Sequence, residues 1–155
     1  MESGSSSGPS WGLVLVRIAC GWILLSAGWP KVSGGVSDEL VLGTRQAFAD
    51  APALVRAWGE SVVLVHPWLF AHMIAWGELL GGLALFLGVL TRPAGFLCAF
   101  QFANFYFAGP ETARPYVLLL ATCCFGCALS RAGRSCGADV FLDSKLPGWM
   151  TWSRG

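Results

Sequence analysis

Arg17 lies about two helical turns inside a run, Trp11 to Pro30, whose other side chains are apolar or small. A guanidinium stranded among hydrocarbon is costly, so an arginine at membrane depth comes with partners and marks a polar site. The candidates are Glu78, Gln101 and Asn104, each set in another apolar stretch. A carboxylate beside a guanidinium makes a charge-assisted pair, and neighbouring amides add donors and acceptors. Such a group can act as glue that fixes the register of packed helices. It can equally bind and protonate a polar head whose apolar tail lies between them. On that second reading Arg17 and Glu78 are the reactive pair, and Gln101 and Asn104 hold the ligand.

Helical spacing places these residues on faces. Arg17, Gly21, Leu24, Gly28 and Lys31 recur at steps of four and three, which is one side of a helix. Glu78, Gly81, Gly82, Leu85, Gly88 and Arg92 form a second stripe, with Gly77 and Gly81 at close-packing spacing. Gln101 and Asn104 share a third face, and Tyr116, Leu120, Cys123, Cys127, Arg131 and Arg134 follow the same rhythm on a fourth. At about 1.5 Å of rise per residue, counted from the side that carries the chain termini, the four polar residues fall in one layer. The expectation is that Arg17 pairs with Glu78 there, flanked by the two amides.

The elements that must position them are membrane helices. Of 155 residues, 55% are hydrophobic and only 12% charged, too few to coat a soluble core of this size. Four stretches are candidates for crossing the bilayer: Trp11 to Pro30, Leu69 to Leu90, Pro93 to Gly109 and Pro115 to Ser130. Roughly 20 residues span the hydrocarbon, so the first two fit and the last two are short. The fold class is therefore all-α, an integral membrane four-helix bundle, because the short links after the second and third spans force antiparallel neighbours. The long connection from Lys31 to Trp68, broken by Pro52, Gly59 and Pro67, is expected to form short amphipathic helices at the bundle mouth or membrane surface.

Residues 1–10 read as a flexible polar tail, 11–143 as the membrane domain and 144–155 as an interfacial tail. Arg92, Arg131 and Arg134 sit against span ends, which puts both termini in the cytoplasm and the long connection outside it. Trp11, Trp29, Trp68, Trp149 and Trp152 suit interfacial anchoring. The lipid bilayer is the evident partner, and a net charge of +1 without a basic run excludes a nucleic-acid binder.

Six cysteines are present: Cys20, Cys98, Cys123, Cys124, Cys127 and Cys136. Cys124 and Cys127 form a CxxC, but a continuous helix does not offer the turn geometry of redox motifs, and buried cysteine commonly fills space. No His-rich half completes a zinc site, and His66 and His72 suit interfacial hydrogen bonding better than haem ligation, so neither metal nor haem is expected.

The R-x3-G-x6-G-x2-K pattern of Arg17, Gly21, Gly28 and Lys31 resembles the first helix of the DoxX family, which takes in the small subunit of thiosulfate:quinone oxidoreductase. The block His66 to Gly95 is similar to the family's second helix with its glutamate and Thr-Arg turn. RAGRSCGADVFLD, Arg131 to Asp143, resembles its closing segment, with Cys136 and Gly137 inserted. The resemblance implies a small four-helix protein of the bacterial inner membrane, tied in some members to quinone-linked oxidation of sulfur compounds. Others serve as membrane partners of redox proteins. Three readings stay open: a quinone-interacting subunit with Arg17 and Glu78 at the quinone head, a non-catalytic anchor of a larger oxidoreductase, and a thiol oxidase using Cys124 and Cys127.

Overall fold

The computed structural model describes residues 11–49, 51–130 and 137–142. The two tails, Cys136, Arg131 and Arg134 lie outside the described residues, as do Trp149 and Trp152. Within them the chain is all-helical: α1 (Trp11–Ser33), α2 (Asp38–Ala49), α3 (Ala53–Trp58), a π-helical turn (Gly59–Val63), α4 (Pro67–Leu87), α5 (Thr91–Ala108), a 3-10 turn (Glu111–Ala113), α6 (Arg114–Leu129) and α7 (Asp139–Leu142).

Three of these segments, Trp11–Ser33, Pro67–Leu87 and Glu111–Leu129, are long and apolar enough to cross a membrane. α5 does not reach that standard, because its 18 residues include Arg92, Gln101 and Asn104. Side chains facing outward from the long helices are nevertheless large and apolar, including Leu15, Trp22, Leu80, Leu83, Phe96, Leu118 and Leu129. No soluble domain exposes such a belt without a partner, and lipid is the partner that accepts it all round.

α1 packs most extensively on α4, α5 packs on α6, and α4–α5 and α1–α6 contacts close the set around a common core. Glycine permits the closest of these approaches. A Cβ placed on Gly21 would lie 2.5 Å from the Phe86 backbone nitrogen, one on Gly28 2.6 Å from that of Leu79, and one on Gly82 2.7 Å from that of Leu25. The α1–α4 contact is thus backbone against backbone, held by dispersion rather than by interdigitated side chains.

The α4–α5 turn needs special backbone. Gly88 adopts the left-handed conformation that ends α4, with the Val89 N–H donating to Ala84 O at 2.9 Å. Leu90 follows with φ of 50°, where a side chain is disfavoured by about 1–2 kcal/mol. Leucine carries no oxygen to cap the first N–H groups of α5. Asp139 supplies it from the far end of the chain, its carboxylate accepting from Leu90 N at 2.6 Å and Thr91 N at 3.1 Å. Asp139 is itself buried, and its own N–H donates to Gly88 O at 2.8 Å, so α7 is strapped onto the turn.

The connection after α1 folds into helices as its composition suggests. Phe48 of α2, Val63 of the π turn and Ala108 at the end of α5 share a small buried cluster, which seats α2 against the end of the helical core opposite α7. α1 runs on past its apolar stretch, through Pro30 to Ser33, since the ring removes only one N–H donor near the helix end. One face differs from expectation. The buried face of α6 is Leu120, Cys124, Cys127 and Ala128. Tyr116 of the expected stripe is exposed and Cys123 only half-buried, because the stripe turns by one residue about the helix.

Candidate functional site

Glu78 sits on the buried face of α4, and its partner is Lys31 of α1, whose Nζ donates to Oε2 in a short ion pair. Arg17 is not the partner. The reason lies in the register of the two helices. Gly28 meets the backbone at Glu78 and Leu79, so Lys31, one turn further on, stands just above the carboxylate. A helical side chain leans toward its own N-terminus, which carries the ammonium back down to it.

The expected Arg17–Glu78 pair is therefore a correction. Arg17 is 1% exposed and its guanidinium lies against the α4–α5 turn, where a Cβ on Gly88 would come 2.1 Å from Nη1. Ten residues separate Gly88 from Glu78 on one helix, about 15 Å along its axis. The depth count assumed that α1 and α4 end flush. Instead, the six residues of α1 before Arg17 run about 9 Å past the end of α4.

The two amides line the same cavity as Glu78 but bond to backbone carbonyls. Gln101 of α5 donates from Nε2 to the Ile74 carbonyl at 3.2 Å, across to α4. Its Oε1 fills the notch at Gly77, where a Cβ would come within 2.6 Å of it. Asn104, one turn along, donates from Nδ2 to Phe100 O at 2.9 Å. Lys31, Glu78, Gln101 and Asn104 all line one cavity of about 630 Å³, a volume within the usual range for small-molecule sites.

The cavity walls are otherwise largely apolar. Phe70, Met73 and Ile74 come from α4, Leu97, Phe100 and Phe105 from α5, and Leu40, Thr44 and Phe48 roof it from α2. The sequence left the helices of this connection at either the bundle mouth or the membrane surface, and α2 lies over the cavity. Lys31 was visible on the glycine stripe of α1, and only its pairing was not.

The chemistry of this arrangement follows from unequal burial. The Glu78 side chain is 5% exposed and that of Lys31 31%, so the carboxylate is at the bottom and the ammonium toward the mouth. An ammonium has three N–H donors and gives one to Glu78. The others, with the amides of Gln101 and Asn104, can hydrogen-bond carbonyl oxygens of a neutral, largely apolar molecule. The carboxylate can exchange a proton with it.

The remaining candidates lie elsewhere. Cys20, Cys98, Cys124 and Cys127 are buried in the helical core as free thiols, with Cys123 half-buried beside them. His72 is exposed and its Nδ1 is 2.8 Å from Trp68 O, a local helical contact, while His66 precedes α4 without a side-chain capping bond. Among the described residues, no group of three or more His, Cys, Asp or Glu side chains is placed to hold a metal ion.

Comparison with known proteins found no match among curated proteins or among solved structures. The DoxX family model matches residues 12–109, a stretch that runs from α1 to the end of α5 and holds Lys31, Glu78, Gln101 and Asn104, though it stops short of the closing segment around Asp139. With well over half of its length matched, the chain belongs to the DoxX family.

Proposed function

We propose that this protein is a membrane subunit that binds the head of a quinone in the cavity between α1, α4 and α5. The single observation that carries this reading is the part-buried Lys31–Glu78 pair opening on an apolar cavity lined by Gln101 and Asn104. The donor set suits the group: an ammonium and two amides for carbonyl oxygens, with apolar walls for ring and tail. A bound quinone supplies two-electron, two-proton redox chemistry.

The protein's own contribution is binding, orientation and proton handling. Lys31 anchors one carbonyl oxygen at the mouth, Gln101 and Asn104 fix the ring, and Glu78 holds or delivers a proton at its Oε atoms. α2 keeps water from the cavity. Electrons come from a partner oxidoreductase subunit. In this reading α1, α4, α5 and α6 cross the bacterial inner membrane as a four-helix bundle with both termini in the cytoplasm. α5 qualifies as the fourth span because its polar face is turned to the cavity while Phe96 and Phe107 face outward. Arg17 has a positioning role at the opposite end, beneath α7.

Titration of the purified full chain with a short-tailed, fully ring-substituted benzoquinone tests the reading. Saturable binding that Glu78→Gln weakens at least tenfold is the expected result. Absence of binding, or binding indifferent to Glu78→Gln, would leave the protein as a membrane anchor of a larger redox complex.

A further inference from the structure

One wall of the cavity is open to the side. Met73 of α4 and Leu97 and Phe100 of α5 line the cavity, and each is also more than half exposed on the outer surface. The other walls differ: Glu78 and Phe48 are buried, and Ile74, Gln101 and Phe105 half-buried. Residues that border both the cavity and the outer surface form a rim, so these three mark an opening between α4 and α5. Packing accounts for it. α4 and α5 pack on each other less extensively than α1 on α4 or α5 on α6. Gly77, one turn after Met73, has no side chain to fill the gap, and the flexible amide of Gln101 crosses it there.

Depth decides what can enter. α2 seats on the end of the helical core where α4 begins and α5 finishes. Counted from that end at about 1.5 Å per residue, Met73 lies about 9 Å along α4, and Phe100 and Leu97 about 12 Å and 16 Å along α5. Glu78, about 16 Å along α4, is level with the opening, so a head reaches it by a sideways step. With both helices crossing a bilayer, the opening falls inside the hydrocarbon layer, which is about 30 Å thick. A gap rimmed there by a thioether, a branched alkyl chain and a phenyl ring admits hydrocarbon in preference to polar groups. The α2 end is different, with Lys31 at the mouth and Leu40, Thr44 and Phe48 roofing it. A tail passed out under α2 would meet water, whereas a tail passed between α4 and α5 stays in lipid throughout.

We infer that the quinone enters sideways from the bilayer, between α4 and α5 past Met73, Leu97 and Phe100. The first isoprenoid units of its tail rest on that rim while the head lies at Lys31 and Glu78. The inference rests on the quinone reading above, with α5 as a span, and narrows the ligand to a lipid-borne, long-tailed quinone.

The test uses the full chain in proteoliposomes with two photoreactive long-tailed benzoquinones, one carrying an azide on the ring and the other a diazirine in the second isoprenoid unit. Peptide mapping with and without excess unlabelled long-tailed quinone separates competed label from general labelling by the lipid pool. The expected result is competed tail label at Met73, Leu97 and Phe100, and competed ring label on inner walls such as Ile74 and Asn104. Leu97→Trp adds bulk to the rim and should cut competed tail label at Met73 and Phe100 about fivefold or more. Leu119→Trp, on an exposed position of α6 outside the cavity, should leave it unchanged. Should Leu97→Trp fail to fold, the map of the unsubstituted chain decides alone. Competed tail label at Leu40 or Thr44, tail label that the competitor does not displace, or equal effects of the two substitutions overturns the opening, and competed ring label then leaves the quinone cavity standing. Ring label that the competitor does not displace overturns both.

Discussion

Lys31 and Glu78 pair across the α1–α4 contact with the carboxylate at the bottom of a cavity and the ammonium near its mouth. The pair exists because Gly28 lets the α1 backbone rest on α4 at Leu79, which brings the next turn of α1 level with the carboxylate. Small residues therefore set the register, and the register selects which cation meets the anion.

Removing one member of the pair should cost more than removing both. Lys31→Met strands a carboxylate that is 5% exposed, a loss on the order of 3 kcal/mol. Adding Glu78→Leu to Lys31→Met should restore at least a third of that loss. Denaturant unfolding of the wild type, both single variants and the double variant in one detergent gives the coupling. Additive losses would show that the two side chains do not interact.

Glycine substitutions should separate by what a Cβ would meet. Gly28→Ala and Gly21→Ala press on α4 backbone and should each destabilise by about 1–3 kcal/mol. Gly126→Ala meets nothing within 4 Å and should leave stability unchanged or raised. Thermal unfolding of the three variants checks the order.

Much of this site could be read in the amino-acid sequence, and one relation could not. Glycine periodicity exposes the contact faces of α1 and α4, and Gln101 and Asn104 announce a shared polar face by their spacing. Periodicity says which way a side chain points but not how far one helix slides along another. A slide of about 9 Å is six residues. It exchanged Arg17 for Lys31 as the partner of Glu78 and carried Arg17 to Gly88. The role of Asp139 was equally hidden, because its two bonds span 49 and 48 residues of chain to a turn whose leucine gives no sign of an external cap.

Asp139 should matter for stability far from the cavity. Asp139→Ala leaves the Leu90 and Thr91 N–H groups without their acceptor, at a cost of about 1–3 kcal/mol. Asp139→Asn keeps one oxygen and should recover part of it. Quinone affinity of the folded Asp139→Asn variant should match the wild type, which unfolding and binding measured on one sample can establish.

Gly77→Ala addresses the site without removing a charge. The added methyl meets only the end of the Gln101 side chain, so the fold should hold while the amide leaves Ile74 O. Quinone binding should weaken roughly fivefold to tenfold, the worth of about one hydrogen bond. A Gly77→Ala variant that binds as tightly as the wild type would remove Gln101 from the site.

Photolabelling with a short-tailed azidoquinone, followed by peptide mapping, tests the quinone cavity most directly. The label should fall on residues that line it, such as Phe70, Ile74, Phe105 and Asn104, and should be lost when excess unlabelled quinone competes. Label spread without competition over outward faces such as Leu15 and Leu129 would place the quinone in the surrounding lipid, and the Lys31–Glu78 pair would then be only a brace between two helices.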